Sequence, residues 1–305
     1  MAGGSLWISG TPDGAKIYLN TQYQGETPLH IEGINSGYHT LSLKKEGYRD
    51  WQQRILIQQG QESQLIAELK QQQTAARPGM VLIPAGEFQM GSNQKSDEEP
   101  IHSVYLDAYM IDQYEVTLAE YRQCVKAGQC ERPKIGSYFN WGQSERDHHP
   151  VNGVDWYNAK KYCEFANKRL PTEAEWEKAA TWKDGRKYKY PSGKNTVSCR
   201  NAIMDGGGGG CGKYRSWPVG SKTQEINGTY DMAGNVWEWV ADWYHYNYYQ
   251  FSPRNNPRGP SSGSGRVLRG GGWGGGASLL CGATRGYRDP KLRGSRLGFR
   301  CALSP

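Results

Sequence analysis

The sequence predicts an α+β fold: a small all-β module followed by a larger, loop-rich domain carrying three short helices. Three observations carry this. Between residues 5 and 70, short segments alternate apolar and polar residues, the period of half-buried strands, and turn residues punctuate them. Two capping boxes and one aspartate cap open amphipathic runs between residues 117 and 180. Past residue 185 helical periodicity stops, and Gly, Pro and aromatic residues dominate to the end.

In the first module the strand segments are Leu6–Ile8, Lys16–Leu19, His39–Leu43, Arg54–Ile57 and Leu65–Leu69. Thr11–Gly14, Gly33, Ser36–Gly37 and Glu46–Gly47 break them, which gives a small antiparallel sandwich. It has no cluster of Cys, His or acidic residues, so its expected role is spacer or adhesion rather than chemistry. Gln71–Pro78 is a polar linker. Pro84–Gly91 then reads as a strand and turn. Thr117-Leu-Ala-Glu120 is a capping box opening a helix to about Ala127. Asp155 caps a second helix whose Trp156, Ala159, Tyr162, Cys163 and Phe165 line one apolar face. Thr172-Glu-Ala-Glu175, just after Pro171, opens a third through Trp176 and Ala180.

At 305 residues, the chain has room for two domains. Its 40 Gly, 15 Pro, 11 Trp and 20 Tyr against 5 Phe describe a globular protein built on loops and amphipathic aromatics. No stretch approaches the ~18 apolar residues of a membrane helix. No signal peptide is visible, so the expected location is cytoplasmic; if an upstream segment was removed, it is extracytoplasmic. The expected state is a monomer. The histidines are scattered, with no Ser-His-Asp or Cys-His arrangement.

The net charge of +7 is concentrated near the end: Arg266, Arg269, Arg285, Arg288, Lys291, Arg293, Arg296 and Arg300 against Asp289 alone. One reading is an anionic ligand, nucleic acid included. The other is that these arginines fix loops through carboxylates and backbone carbonyls. No RNA-binding or helix-turn-helix motif accompanies them, so the structural reading is preferred and nucleic acid is not an expected partner. In the same region Arg266-Val-Leu-Arg-Gly-Gly-Gly-Trp273 and Gly298-Phe-Arg-Cys301 bracket an irregular run. A specified frame around irregular filling points to a binding surface on a rigid scaffold.

The Gly25-Glu-Thr-Pro-Leu29 core, with the Pro12–Ala15 and Lys45–Tyr48 turns, resembles the PEGA domain over residues 4–70. From residue 79 on, the ordered motifs resemble the formylglycine-generating enzyme (sulfatase-modifying factor) domain. They are Met80–Gly91, Pro150-Val151 with Asp155-Trp156, Lys168–Glu177, Trp217–Ser221, Tyr230-Asp-Met-Ala-Gly-Asn-Val-Trp-Glu-Trp239, Arg269–Trp273 and Leu297–Cys301. The resemblance implies a C-type lectin fold over residues 79–305. It also implies, for the founding enzymes, copper held by two cysteines; here those positions are Gly275 and Leu280, so no copper and no enzyme activity are expected. Cys281 lies one residue off and stands alone.

A second branch of the same fold comprises the variable proteins of diversity-generating retroelements, in which a template's adenines are mutated into the gene's 3′ end. That resemblance implies a variable region of about 266–301 and a protein ligand. Its ligand-contacting positions would be Trp273, Gly274, Gly275, Gly276, Ser278, Leu279, Thr284, Gly286, Tyr287, Arg288, Asp289, Leu292, Gly294, Ser295 and Arg296. All but Trp273 are types that an NNY codon encodes; Lys291 and the Gly272 of the frame depart from the pattern. Tyr287, Arg288 and Arg296 would be the anchors, with an open surface at 274–276. The other reading is an undiversified accessory domain or an oxidase with a fixed partner.

The family's calcium turn maps onto Asp231, Gly234, Val236 and Glu238, two carboxylates and two carbonyls suited to a hard cation. The structural alternative is a Gly-Asn turn packed by Trp237 and Trp239, with Glu238 in a salt bridge. The resemblance pairs Cys163 with Cys301; Cys124 with Cys130 and Cys199 with Cys211 could close short loops. The aromatic loop Tyr244–Phe251 either flanks the binding face or packs on the core.

Overall fold

The computed structural model describes residues 3–45, 48–70 and 77–304. Most of the expected linker and the Glu46–Gly47 turn lie outside the described residues. The chain divides into two units, Met1–Ala75 and Ala76–Pro305.

Among its described residues the first unit has seven strands: β1 (Gly4–Thr11), β2 (Lys16–Leu19), β3 (Gln22–Glu26), β4 (Leu29–Ile34), β5 (Gly37–Lys44), β6 (Trp51–Ile57) and β7 (Glu62–Glu68). They form sheets ordered β4-β1-β7 and β3-β2-β5-β6. Their alternate residues, including Leu6, Ile8, Ile17, Leu41, Leu43 and Ile57, share one core. The sandwich is mixed rather than antiparallel, because β1 pairs parallel with β7. Alternation fixes which face a residue takes and leaves strand direction open, so this pairing was not legible. β3 is unannounced for a similar reason: no residue of Gln22–Glu26 is buried.

In the second unit the strands β8 (Met80–Ile83), β9 (Gly86–Met90), β10 (His102–Leu106) and β11 (Tyr109–Asp112) precede the helices α1 (Leu118–Lys126), α2 (Trp156–Phe165) and α3 (Glu173–Thr181). The strands β12 (Trp182–Lys183), β13 (Arg186–Lys187), β14 (Trp237–Trp243), β15 (Arg266–Arg269), β16 (Gly286–Arg288), β17 (Leu297–Gly298) and β18 (Ala302–Leu303) follow. β11 lies between β8 and β18, so the two ends of the unit close on each other. β16-β15-β14-β17 form a four-stranded sheet.

All three helices start where their caps stand. The Thr117 and Thr172 boxes are both reciprocal, the Glu120 carboxylate accepting from the Thr117 N–H at 2.8 Å and Glu175 from Thr172 at 2.7 Å. The Asp155 carboxylate accepts from the Asn158 N–H at 2.9 Å. In α2, Trp156, Ala159, Tyr162 and Cys163 point inward; Phe165 does not and is exposed at the last residue of the helix. α3 is buried along its whole length, its Glu173, Glu177 and Lys178 included. Cys163–Cys301, Cys124–Cys130 and Cys199–Cys211 are disulfide-bonded, and Cys281 is a buried free thiol.

Candidate binding face

The charged residues of α3 explain the opening frame. Arg269, wholly buried, donates from Nη2 to Glu177 Oε2 at 2.6 Å and from Nη1 to Glu173 Oε1 at 3.4 Å. It also reaches the carbonyls of Gly282 and Ala283 at 2.8 and 2.9 Å. Arg285 clamps Glu173 through Nε and Nη2 at 2.8 and 3.0 Å and donates to the Asp97 carbonyl. Burial opposes ionisation of Glu177, but Lys187 and Arg269 outweigh it and hold this carboxyl below its usual value. Arg266 lies between the rings of Trp156 and Trp243, 3.8 and 3.6 Å from their centroids. Gly271 turns the chain at φ 75°, where a Cβ would meet the Leu279 carbonyl oxygen at 2.8 Å.

The closing frame is held as firmly. Gly298 passes so near the residue preceding β14 that a Cβ would stand 2.7 Å from the Val236 side chain and 2.8 Å from the Val151 carbonyl oxygen. Phe299 is core, and Arg300 grips both Glu238 oxygens at 2.8 Å. Cys301 is tied to α2 by its disulfide.

Between these anchors the run forms one wall and the rim of a groove of about 550 Å³. Every strand of the β16-β15-β14-β17 sheet lines it, through Trp237, Leu268, Gly286, Tyr287, Arg288 and Leu297. Gly274, Gly275, Leu279, Leu292, Gly294, Ser295 and Arg296 complete it, with Asp97 and Arg285. Gly276, Ser278, Tyr287, Arg288, Asp289, Leu292 and Arg296 are exposed; Gly274, Leu279, Gly286, Gly294 and Ser295 are partly so. Exposure of the whole 273–296 run does not hold: Trp273, Gly275 and Thr284 are buried. Thr284 donates its hydroxyl to the Ser278 carbonyl, an internal loop contact. Nor is the 274–276 stretch simply open. The Arg296 guanidinium lies across Gly274 and stacks on Trp273 at 4.5 Å, and Tyr138 stacks on the same ring.

Tyr287 stacks on Tyr244 with centroids 4.1 Å apart, and the Tyr244 hydroxyl donates to Asp97. The aromatic loop therefore does both things open to it: Tyr244 braces the face while Tyr248 and Tyr249 enter the core. Of the terminal cations, Arg266, Arg269, Arg285, Arg293 and Arg300 have structural partners. Arg288, Lys291 and Arg296 make no ion pair among the described residues. Leu268 and Leu297 line the groove because the sheet brings them there, and Asp97 reaches it from the short turn Ser96–Glu98; none of the three has a local sequence signal.

Gly275 and Leu280 offer no metal-binding side chain, and Leu280 packs in a small apolar cluster with Cys281 and Tyr190. Among the described residues, no group of three or more His, Cys, Asp or Glu side chains is placed to hold a metal ion. In the candidate calcium turn, Glu238 is engaged by Arg300 and by the Trp176 indole N–H at 2.8 Å. Asp231 accepts from the Gly220 N–H at 2.6 Å. Burial raises the Asp231 carboxyl to about 6 and the Glu225 carboxyl to about 8. Burial, then neighbouring Asp231 and Glu238, lifts the Glu115 carboxyl well above its usual value. Arg300 is thus a central counter-charge for a carboxylate-rich region.

The sequence matches the sulfatase-modifying factor enzyme 1-like domain over residues 66–305 and the PEGA domain over residues 3–73. The chain belongs to the sulfatase-modifying factor enzyme 1-like family. It is 34% identical to the serine/threonine-protein kinase pkn1 of Chlamydia pneumoniae, covering 85% of this chain and 44% of that protein. The chain thus spans less than half the length of this kinase-named relative. It is 34% identical to the formylglycine-generating enzyme of Streptomyces coelicolor over 75% of this chain and 91% of the enzyme. The solved structure of variable protein 1 from Treponema denticola matches with a TM-score of 0.59 and 28% identity, covering 74% of this chain and 95% of that one. The second unit of this family member has the C-type lectin fold of the formylglycine-generating-enzyme type. No described helix is long and apolar enough to cross a membrane.

Proposed function

We propose that the second unit is a non-catalytic binding domain whose groove takes a protein ligand and whose groove-lining positions are diversified by a retroelement. One observation carries this reading. The exposed Tyr287, Arg288, Leu292 and Arg296 of the 274–296 run line the groove, while the residues framing the run are fixed in the core by buried ion pairs, a disulfide and close backbone approach. Such a division lets the surface vary without cost to the fold. Replacing Gly276, Ser278, Tyr287, Arg288, Asp289, Leu292 and Arg296 together should shift Tm by no more than about 3 °C, since exposed substitutions are individually near neutral. A cooperative loss of stability would show that this segment is core.

The metal readings are tested by titration. Gly275 and Leu280 supply no thiolate where soft Cu(I) would require two, so the expected result is no tight stoichiometric Cu(I) binding; a tight 1:1 site would restore the oxidase reading. Calcium would be bound through Asp231 and the turn carbonyls of Gly234 and Val236, since Glu238 already has partners. That assignment predicts a rise in Tm with millimolar-order Ca²⁺ that Asp231→Ala removes. No shift would mean that the turn is held by its protein contacts, the Glu238–Arg300 ion pair among them, without a cation.

A second reading, an undiversified accessory domain with a fixed partner, is favoured by the kinase-named relative, whose match extends over 85% of this chain.

A further inference from the structure

Cations also gather outside the variable run. Lys213 and Lys222 place their ammonium groups 4.0 and 4.4 Å from the centroid of Trp217. Arg215 is exposed beside them, and Arg146 donates to the Phe139 carbonyl and Asn140 Oδ1. Lys213, Arg215 and Arg146 make no ion pair among the described residues. Carboxylates are also present: Glu145 and Asp147 flank Arg146 in the chain, Asp147 pairing with Arg122, and buried Asp231 acts on Lys222. The local field is nevertheless positive. Burial, then Arg146, Arg215 and Lys213, pushes the His149 imidazole down to about 4.

This patch is physically continuous with the groove. The Trp217 indole N–H donates to the Gly210 carbonyl at 2.9 Å, and the Gly210 N–H donates to the Trp273 carbonyl at 2.5 Å. Gly209 lies against the Trp273 ring, and Arg296 covers Trp273 at the groove's edge. A guanidinium stacked on an aromatic ring keeps its in-plane N–H edge free for a carboxylate.

We propose that the binding face has a fixed basic half, Lys213 and Arg215 with Arg146 around Trp217, joined through Trp273 to the groove, and that its partner is an acidic protein segment with interspersed apolar residues. This rests on the groove being the binding face. The fixed half supplies charge complementarity that diversification of 274–296 leaves untouched, and so selects a class of partner while the groove selects the individual. Nucleic acid fits less well. Leu268, Leu292 and Leu297 line the groove with apolar surface that suits side chains rather than successive phosphates, and one face of Tyr287 is already covered by Tyr244.

The test is fluorescence anisotropy on the full chain with labelled octapeptides of alternating Glu-Leu, Ser-Leu and Lys-Leu, and with octathymidylate. The Glu-Leu peptide should bind most tightly and weaken with added salt. Lys213→Glu with Arg215→Glu should weaken it by about tenfold or more, with Tm unchanged because both side chains are exposed. Arg288→Ala with Arg296→Ala should weaken it as well. Glu-Leu binding no tighter than Ser-Leu, or tighter binding of octathymidylate, overturns the proposal. If only the groove pair matters, the fixed half falls and the groove stands as the binding face. If only the Lys213/Arg215 pair matters, the groove is removed from the face, and the joined surface with it.

Discussion

Arg300→Ala is expected to destabilise the second unit by about 3–5 kcal/mol, because it leaves a buried carboxylate without its counter-charge. Arg300 is fully buried and holds both oxygens of Glu238, which is also buried. The same guanidinium donates to the carbonyls of Asp112, Gln113 and Tyr230, so its removal orphans backbone acceptors as well. Glu115, Glu225 and Asp231 lie in the same region, and each carboxyl is already raised by burial. For a unit of this size the loss corresponds to a fall in Tm of about 10 °C. Arg300→Met combined with Glu238→Gln should recover part of it, since removing both charges removes the desolvation problem. A drop below about 1 kcal/mol in the single variant would mean that water or a bound cation already serves Glu238.

Cys163→Ala with Cys301→Ala should cost about 4–5 kcal/mol by denaturant unfolding, because that disulfide closes a loop spanning 138 residues of sequence separation. The Cys124–Cys130 pair, separated by 6, should cost about 2 kcal/mol by the same chain-entropy argument. The contrast matters more than either value. Cys301 follows Phe299 and Arg300, so opening its bond also releases the closing frame of the binding run from α2. Equal costs for the two pairs would show that the long cross-link does not constrain the unfolded chain.

The helices were legible because their signals are local: Thr117, Asp155 and Thr172 each cap the helix that starts at the next residue. The disulfide of Cys163 and Cys301 and the frame of the variable run came through the family resemblance. What stayed hidden was long-range. Glu173 and Glu177 sit on a helix with acidic and basic residues that sequence would place toward water, yet they are buried against Arg269 and Arg285, which follow 92 to 112 residues later. This pairing settles the excess of C-terminal cations largely as scaffold. Short strands such as Leu297–Gly298 carry too few residues for any period, so the sheet lining the groove could not be read in advance. Thr284 belongs to the buried stretch 280–285 of the run, and its hydroxyl makes a loop contact, to Ser278, that no pattern announces.

The most direct test is to sequence the genomic locus just downstream of the 3′ end of the gene. A diversified binding face predicts a near-copy of the final coding segment there, with adenines at the codons of the exposed positions between 274 and 296, unmutated codons for the buried frame, and a reverse transcriptase nearby. A locus holding neither repeat nor reverse transcriptase would contradict diversification and leave the groove with a single, inherited partner.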